Sequence, residues 1–251
     1  MFTPERHQHI LQRLAERGRV TIAELARELG VSDDTVRRDL RALESLGGLQ
    51  KTHGGAVSLD LPKTARRARA GLLLPVKQTL ARCAAAYPAA GSVLFIDAGS
   101  TLLEVARQLP RQAFTVITHS LDVANCLAER QEITLHLAGG AWDARQRLFN
   151  GAAAEAFVQR FRADWAILGA CAVDLDIGVT ASEASDAEIK RRMLAASRRA
   201  LLVADHSKFG RNEPHWVAPL ARFEAVVTDR ACHAAAAGAE PPFVVPHESQ
   251  E

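Results

Sequence analysis

Residues 31–40 read VSDDTVRRDL, two acids and two adjacent arginines directly behind TIAELARELG at 21–30. The spacing predicts a helix in which Val36, Leu40 and Leu43 recur at i, i+4 and i+7 and face inward. At about 100° per residue, Arg38 and Arg41 point the opposite way, with Thr35 and Arg37 on the flanks. Asp34 stands four residues before Arg38, where it can hold that side chain. Ser32 is the expected N-cap. In the preceding segment Thr21 and Glu24 have the capping-box spacing, Leu25 and Leu29 share a face, and Gly30 ends the helix. A first helix opens at Thr3-Pro4, carries Ile10, Leu11 and Leu14 inward, and ends at Gly18. Two helices joined by a tight glycine turn, the second with an outward basic face, form the helix-turn-helix plan. The expected partner is double-stranded DNA: arginines read guanine edges or grip phosphates, and threonine touches a thymine methyl or a phosphate.

Residues 49–57, LQKTHGGAV, read as a short hairpin turning at Gly54-Gly55, which makes a wing behind the recognition helix. Lys51, Thr52 and His53 would then reach the DNA backbone. The expected DNA contacts are Ser32, Thr35, Arg37, Arg38, Arg41, Lys51, Thr52 and His53.

The whole chain has 251 residues, 48% hydrophobic and 24% charged, a globular composition. No apolar run approaches the roughly 20 residues that span a bilayer, and MFTPERHQHI is too polar for a secretory signal. Cys83, Cys126, Cys171 and Cys232 are scattered without a metal-knuckle spacing, so reduced, packed thiols are expected. The nine histidines form no convincing ligand set. The expectation is a cytoplasmic protein with no membrane partner, no cofactor and no metal. Its net charge of +2 is unevenly spread. Residues 1–60 hold 9 basic and 9 acidic side chains, residues 61–82 hold 6 basic and none acidic, and residues 83–251 hold 16 basic and 20 acidic. This divides the chain into a winged helix-turn-helix domain over 1–58, a basic linker over 59–82, and a larger domain over 83–251.

In the larger block, strand runs SVLFID (92–97), FTVIT (114–118), EITLHL (132–137), DWAILG (164–169), ALLVA (200–204) and EAVVT (224–228) alternate with helical segments such as SDAEIKRRMLAASRR. That alternation predicts an α/β domain with a mostly parallel sheet covered on both faces. Ligands of such sheets sit beyond the carboxyl ends of the strands. There, Asp97-Ala98-Gly99-Ser100-Thr101 joins a strand to a helix, with a glycine, two hydroxyls and a helix N-terminus suited to an anion. Thr118-His119-Ser120, Ala138-Gly139-Gly140 and Asp205-His206-Ser207-Lys208 follow other strands. Together they predict a pocket for a small, hydroxylated, phosphorylated molecule. The alanine-rich tail and PPFVVPHESQE suggest one last helix and a final strand.

VSDDTVRRDLRALESLGGLQKTHGGA resembles the N-terminal signature of the DeoR-type bacterial repressors. FIDAGST, VITHSLDVANCLA, LAGG, DWAILG, EIKRRM and LLVADHSKFGR resemble the effector domain of the same family, and the likeness runs from about Arg6 to Asp229. The resemblance implies a larger domain similar in fold to sugar-phosphate isomerases. It implies a repressor of carbohydrate or polyol genes, released from its operator by a phosphorylated sugar or polyol, with glycerol 3-phosphate the leading candidate. It implies no catalytic residues, and an effector site at Asp97, Gly99, Ser100, Thr101, Thr118, Asp205 and Lys208, to which His119, Gly139 and Gly140 are added by position. A homodimer or homotetramer is expected. Lys51, His119, Asp143 and Asp186 depart from the residues usual in the family. The alternative is a sugar-phosphate isomerase-like enzyme with a DNA-binding appendage, for which Asp97, Asp205 and Glu183 are the conceivable acid–base groups.

Overall fold

A computed structural model describes residues 3–45, 49–57, 73–230 and 241–246. The chain divides into two compact units, Met1–Leu74 and Pro75–Glu251.

The first unit contains α1 (Thr3–Arg17), β1 (Arg19–Thr21), α2 (Ile22–Leu29), α3 (Asp33–Ser45), β2 (Gln50–Thr52) and β3 (Gly55–Val57). The local signals act as expected. Glu24 N–H donates to Thr21 Oγ1 at 3.2 Å, and Thr21 N–H donates to the Glu24 carboxylate at 3.0 Å. Gly30 stops α2 in the left-handed conformation at φ 64°, its N–H bonded to the Ala26 carbonyl. Ile10, Leu14, Leu25, Val36, Leu40, Leu43 and Leu49 share one buried core.

The wing differs in one respect. The turn is at His53 and Gly54, and Gly55 already belongs to β3. The unforeseen strand β1 is the reason: the sheet order is β1-β3-β2, and Gly55 lies opposite Thr21. A Cβ at Gly55 would stand 2.0 Å from the Val20 carbonyl oxygen, so only glycine fits there.

The second unit begins with α4 (Leu74–Ala85) and continues through β4 (Val93–Ile96), α5 (Ser100–Gln108), β5 (Phe114–Thr118), α6 (Leu121–Leu127) and β6 (Ile133–Leu137). A hairpin, β7 (Ala141–Asp143) and β8 (Leu148–Asn150), leads into α7 (Ala152–Val158) and β9 (Ala163–Leu168). Then come β10 (Ala172–Asp174), β11 (Gly178–Ala181), α8 (Ala184–Ala195), β12 (Ser197–Val203), β13 (His215–Ala218), β14 (Ala225–Val227) and β15 (Phe243–Val244).

Seven strands form one sheet in the order β15-β14-β12-β9-β4-β5-β6, and every pair in it is parallel. Successive residues serve opposite faces. Phe95, Ile117, Ala166 and Leu202 pack with Ile189 and Met193 of α8. Leu94, Ile96, Val116 and Ile167 pack with Leu80 of α4, Leu102 and Val105 of α5, and Val123 of α6. Both faces are covered, which is why the strands read as apolar runs rather than as alternating patterns.

The fold class is the expected one, a winged helix-turn-helix followed by a larger α/β domain. The hairpin β7–β8 and the small antiparallel sheet β10-β11-β13 were not expected. Of the expected linker, 59–72 lies outside the described residues, while 74–82 lies in α4 with Lys77, Leu80 and Ala81 buried. The expected helix after Asp229 also lies outside the described residues. No helix among the described residues is long and apolar enough to cross a membrane.

Candidate functional site

In the first unit the basic side chains of α1 differ from those of α3 and the wing. Those of α1 are engaged within the unit. Arg6 and His7 contact the buried carboxylate of Asp39 at 2.8 and 3.1 Å, and His9 and Arg13 contact Glu28 at 3.2 and 2.8 Å. Burial would raise the Asp39 carboxyl, but Arg6 and His7 outweigh it and hold it low.

The basic side chains of α3 and the wing face water. Arg38 lies 3.2 Å from Asp34 with 77% of its side chain exposed, and Arg37 lies 3.8 Å from Asp33. Such exposed pairs contribute about 0–1 kcal/mol, so a phosphate or base edge can replace the acid. The Asp33–Arg37 pair was not foreseen. Among the described residues the side chains of Arg41, Lys51 and His53 have no ion-pair partner, and Thr52 is exposed. Ser32 Oγ accepts the Thr35 N–H at 3.3 Å and lies 3.0 Å from Thr35 Oγ1, so these two hydroxyls cap the helix.

In the second unit the chain leaves β4 toward β5 on one side, while β9 adds on the other. The sheet's direction of growth therefore reverses between β4 and β9, the place where open α/β sheets hold ligands. Asp97 follows β4 and Gly169 follows β9. The Asp97 carboxylate is fully buried. One oxygen accepts the Ala98 N–H at 2.8 Å and lies 3.1 Å from His119 Nε2. The other accepts the Gly169 N–H at 3.1 Å and lies 2.9 Å from Lys190 Nζ. The Ala98 and Gly169 N–H groups and the Lys190 ammonium donate to it and the His119 ring closes over it, so Asp97 is engaged within the protein rather than open to a ligand.

Lys190, buried on α8, also contacts Asp186, and Asp186 in turn accepts from Cys171 Sγ at 3.6 Å. Burial would push the Asp97 carboxyl up, but Lys190 and His119 hold it below the usual carboxylate range. Burial likewise disfavours the Lys190 ammonium, and Asp186 and Asp97 hold it above the usual lysine range.

The side chains that follow are open. Gly99 takes φ 148°, a conformation nearly reserved for glycine, and starts α5 without a side-chain cap. The half-buried hydroxyls of Ser100 and Thr101 have no hydrogen-bond partner among the described residues. The first N–H groups of α5 have no partner within the helix. Hydroxyls, N–H groups and helix dipole together suit an anion.

The other expected residues take different parts. Thr118 Oγ1 accepts the Ser120 N–H at 3.1 Å and so serves its own turn. His119 is fully buried; its Nδ1 donates to the Phe149 carbonyl at 3.0 Å, tying β5 to β8. Gly139 is open, but Gly140, at φ 148°, is needed for packing: a Cβ there would stand 2.5 Å from the Asn150 carbonyl oxygen. Asp205 accepts from the N–H and hydroxyl of Ser207. Lys208 is half-buried and has no ion pair among the described residues. The turn carrying it is anchored by Asp229, which accepts the His206 N–H at 2.7 Å and meets His206 Nδ1 at 2.6 Å.

Asp143, one of the departures from the residues usual in the family, accepts the N–H groups of Arg145 and Gln146 at 2.8 and 3.0 Å. It builds the β7–β8 turn. The sequence reading missed Lys190, Gly169, Phe149 and Asp229. One signal for Lys190 was present: a lysine four residues after Asp186, between the inward Ile189 and Met193. Cys83, Cys126 and Cys171 are free thiols, and burial raises all three. Among the described residues no group of three His, Cys, Asp or Glu side chains could hold a metal ion.

A model of the DeoR-like helix-turn-helix domain matches residues 6–61, and one of the DeoR C terminal sensor domain matches residues 74–230. The chain is 34% identical over 234 residues to the glycerol-3-phosphate regulon repressor of Escherichia coli (strain K12), covering 91% of this chain and 92% of that protein. It is also 34% identical over 234 residues to the transcriptional repressor AccR of Agrobacterium fabrum, covering 90% of each. Among solved structures, ribose 5-phosphate isomerase A from Methanocaldococcus jannaschii matches 54% of each chain with a TM-score of 0.41 and 16% identity.

Proposed function

The chain belongs to the DeoR family of transcriptional regulators, and from that premise we propose that it is a cytoplasmic repressor of sugar or polyol genes, released from its operator by a phosphorylated metabolite. Residues 1–58 carry DNA binding, and the second unit, which begins with α4, senses the effector. The carrying observation is the N-terminus of α5, where the hydroxyls of Ser100 and Thr101 are unclaimed among the described residues, at the sheet's reversal point. The half-buried ammonium of Lys208 supplies a cation. Glycerol 3-phosphate is the first compound to test, because a relative is named for it. Operator binding calls for two winged helices on two half-sites, hence a homodimer or homotetramer. Release follows if the metabolite binds the DNA-incompetent state better.

A regulator is favoured over an isomerase by the state of the acid–base groups. Asp97 is held ionised and saturated with donors, and Glu183 is exposed on a helix cap.

The test is a thermal-shift panel of phosphorylated sugars and polyols with their unphosphorylated parents, followed by operator gel shifts. A ligand at 100 times its Kd adds about 2.7 kcal/mol to stability. The expected result is stabilisation by one phosphorylated compound and not by its parent, and release of operator by the same compound. Ser100→Ala with Thr101→Ala should keep operator binding and lose that release. A double variant that still releases DNA at the normal effector concentration would sink the assignment.

A further inference from the structure

The turn that leads into α5 is braced by residues outside it. Ala98 and Gly169 supply the first N–H groups beyond Asp97 and beyond β9, and both donate to the one Asp97 carboxylate. That carboxylate clamps the two loops bordering the reversal point, and Gly99, Ser100 and Thr101 follow directly from the clamped Ala98. A carboxylate enclosed this completely persists as an anion only beside a positive charge. Lys190 supplies it at 2.9 Å from a different element, α8, and is itself enclosed. The Lys190 ammonium is shared between Asp97 and Asp186, so little of its charge is left to attract a ligand.

We propose that Lys190 and Asp97 form a positioning pair for the effector site: without touching the effector, they fix the Ala98–Gly99–Ser100 turn and Gly169 in the geometry that receives a phosphate, and tie that turn to α8. The idea rests on the reading of this crevice as the effector site. It also assigns Asp97 a different part from the direct contact that family resemblance implies.

The test uses amide hydrogen exchange on the full, ligand-free chain, together with binding of glycerol 3-phosphate and inorganic phosphate. In Lys190→Met, exchange at Ala98 and Gly169 should speed up by about tenfold or more beyond any change at Phe95 and Ala166, inside β4 and β9, which report the unfolding of the whole unit. Phosphate affinity should fall by about tenfold or more with operator binding intact, because the winged helix is a separate unit. Should Lys190→Met fail to fold, Asp97→Asn serves instead. It keeps one acceptor oxygen, which the Lys190 ammonium draws to its own side and so to Gly169, and it turns the amide NH2 toward Ala98, so Ala98 should lose protection and Gly169 should not.

Unchanged protection at both Ala98 and Gly169 in the folded variants overturns the proposal. So does unchanged phosphate affinity in Lys190→Met. If the wild-type chain binds neither probe, nor any phosphate ester of the wider panel, the effector reading fails, and the exchange measurement still decides whether the pair holds the two loops.

Discussion

Asp34 and Arg38 lie 3.2 Å apart with both side chains mostly in water, whereas Asp97 and Lys190 lie 2.9 Å apart with both enclosed. The distances are alike and the physics is not. Around the exposed pair, water screens the attraction and the pair holds its members loosely. An arginine kept in that way is pre-oriented yet transferable, which suits a surface that must exchange its own acid for a DNA phosphate or a guanine edge. Around the buried pair, each charge depends on the other, because neither can recover its hydration. Such a pair suits the fixed backbone behind a binding site. On the proposed reading, one chain uses the same chemistry as a releasable contact in one unit and as a permanent brace in the other.

The largest effect should come from the brace. Lys190→Met leaves the enclosed Asp97 carboxylate without its cation and should destabilise the second unit by about 3–5 kcal/mol, read as a lower urea midpoint. A change below 1 kcal/mol would show that water reaches Asp97 and would erase the contrast.

Arg38→Ala comes next and separates two quantities. Operator affinity should fall by roughly 1–3 kcal/mol, with relaxed preference at one base pair if Arg38 reads a base. Fold stability should shift by less than about 1 kcal/mol. A stability loss equal to the affinity loss would mean that Arg38 is a structural residue.

The smallest effect belongs to the half-buried pair of His206 and Asp229, intermediate between the two extremes. The hydrogen bond to Asp229 raises His206, against its burial. Burial would raise Asp229, but His206 overrides it and holds it low. A raised histidine contributes stability that is full below its unfolded value of 6.5 and lost as pH climbs through the higher folded value. A lowered carboxyl contributes stability that is full above its unfolded value of 3.8 and lost in acid below it. The pair therefore supports the fold most between those two values. Asp229→Asn should flatten the pH dependence of the melting temperature across both limbs, and an unaltered profile would show that solvent screens the pair completely.

The helix-turn-helix was legible in the sequence because its signals are local. The capping box at Thr21 and Glu24, the left-handed Gly30, and the stripe of Val36, Leu40 and Leu43 each involve residues within two turns of one another. The six major strands were legible for a related reason: burial on both faces demands an unbroken apolar run. Strands β7, β8, β10, β11 and β13 were not, because they are short and draw their pairing from distant partners.

The candidate effector site divides in the same way. The Gly99-Ser100-Thr101 turn follows from a strand run meeting a helix, and the sequence alone determined it. Tertiary structure decided that Asp97 faces inward onto Lys190, that Gly140 serves Asn150, and that Asp143 closes a hairpin. It also decided that Gly55 makes room for β1. A helix cap or an apolar run is satisfied by neighbours along the chain. A buried charge or a missing Cβ answers to whatever the fold brings against it, and that partner is set only when the sheet and its covering helices come together.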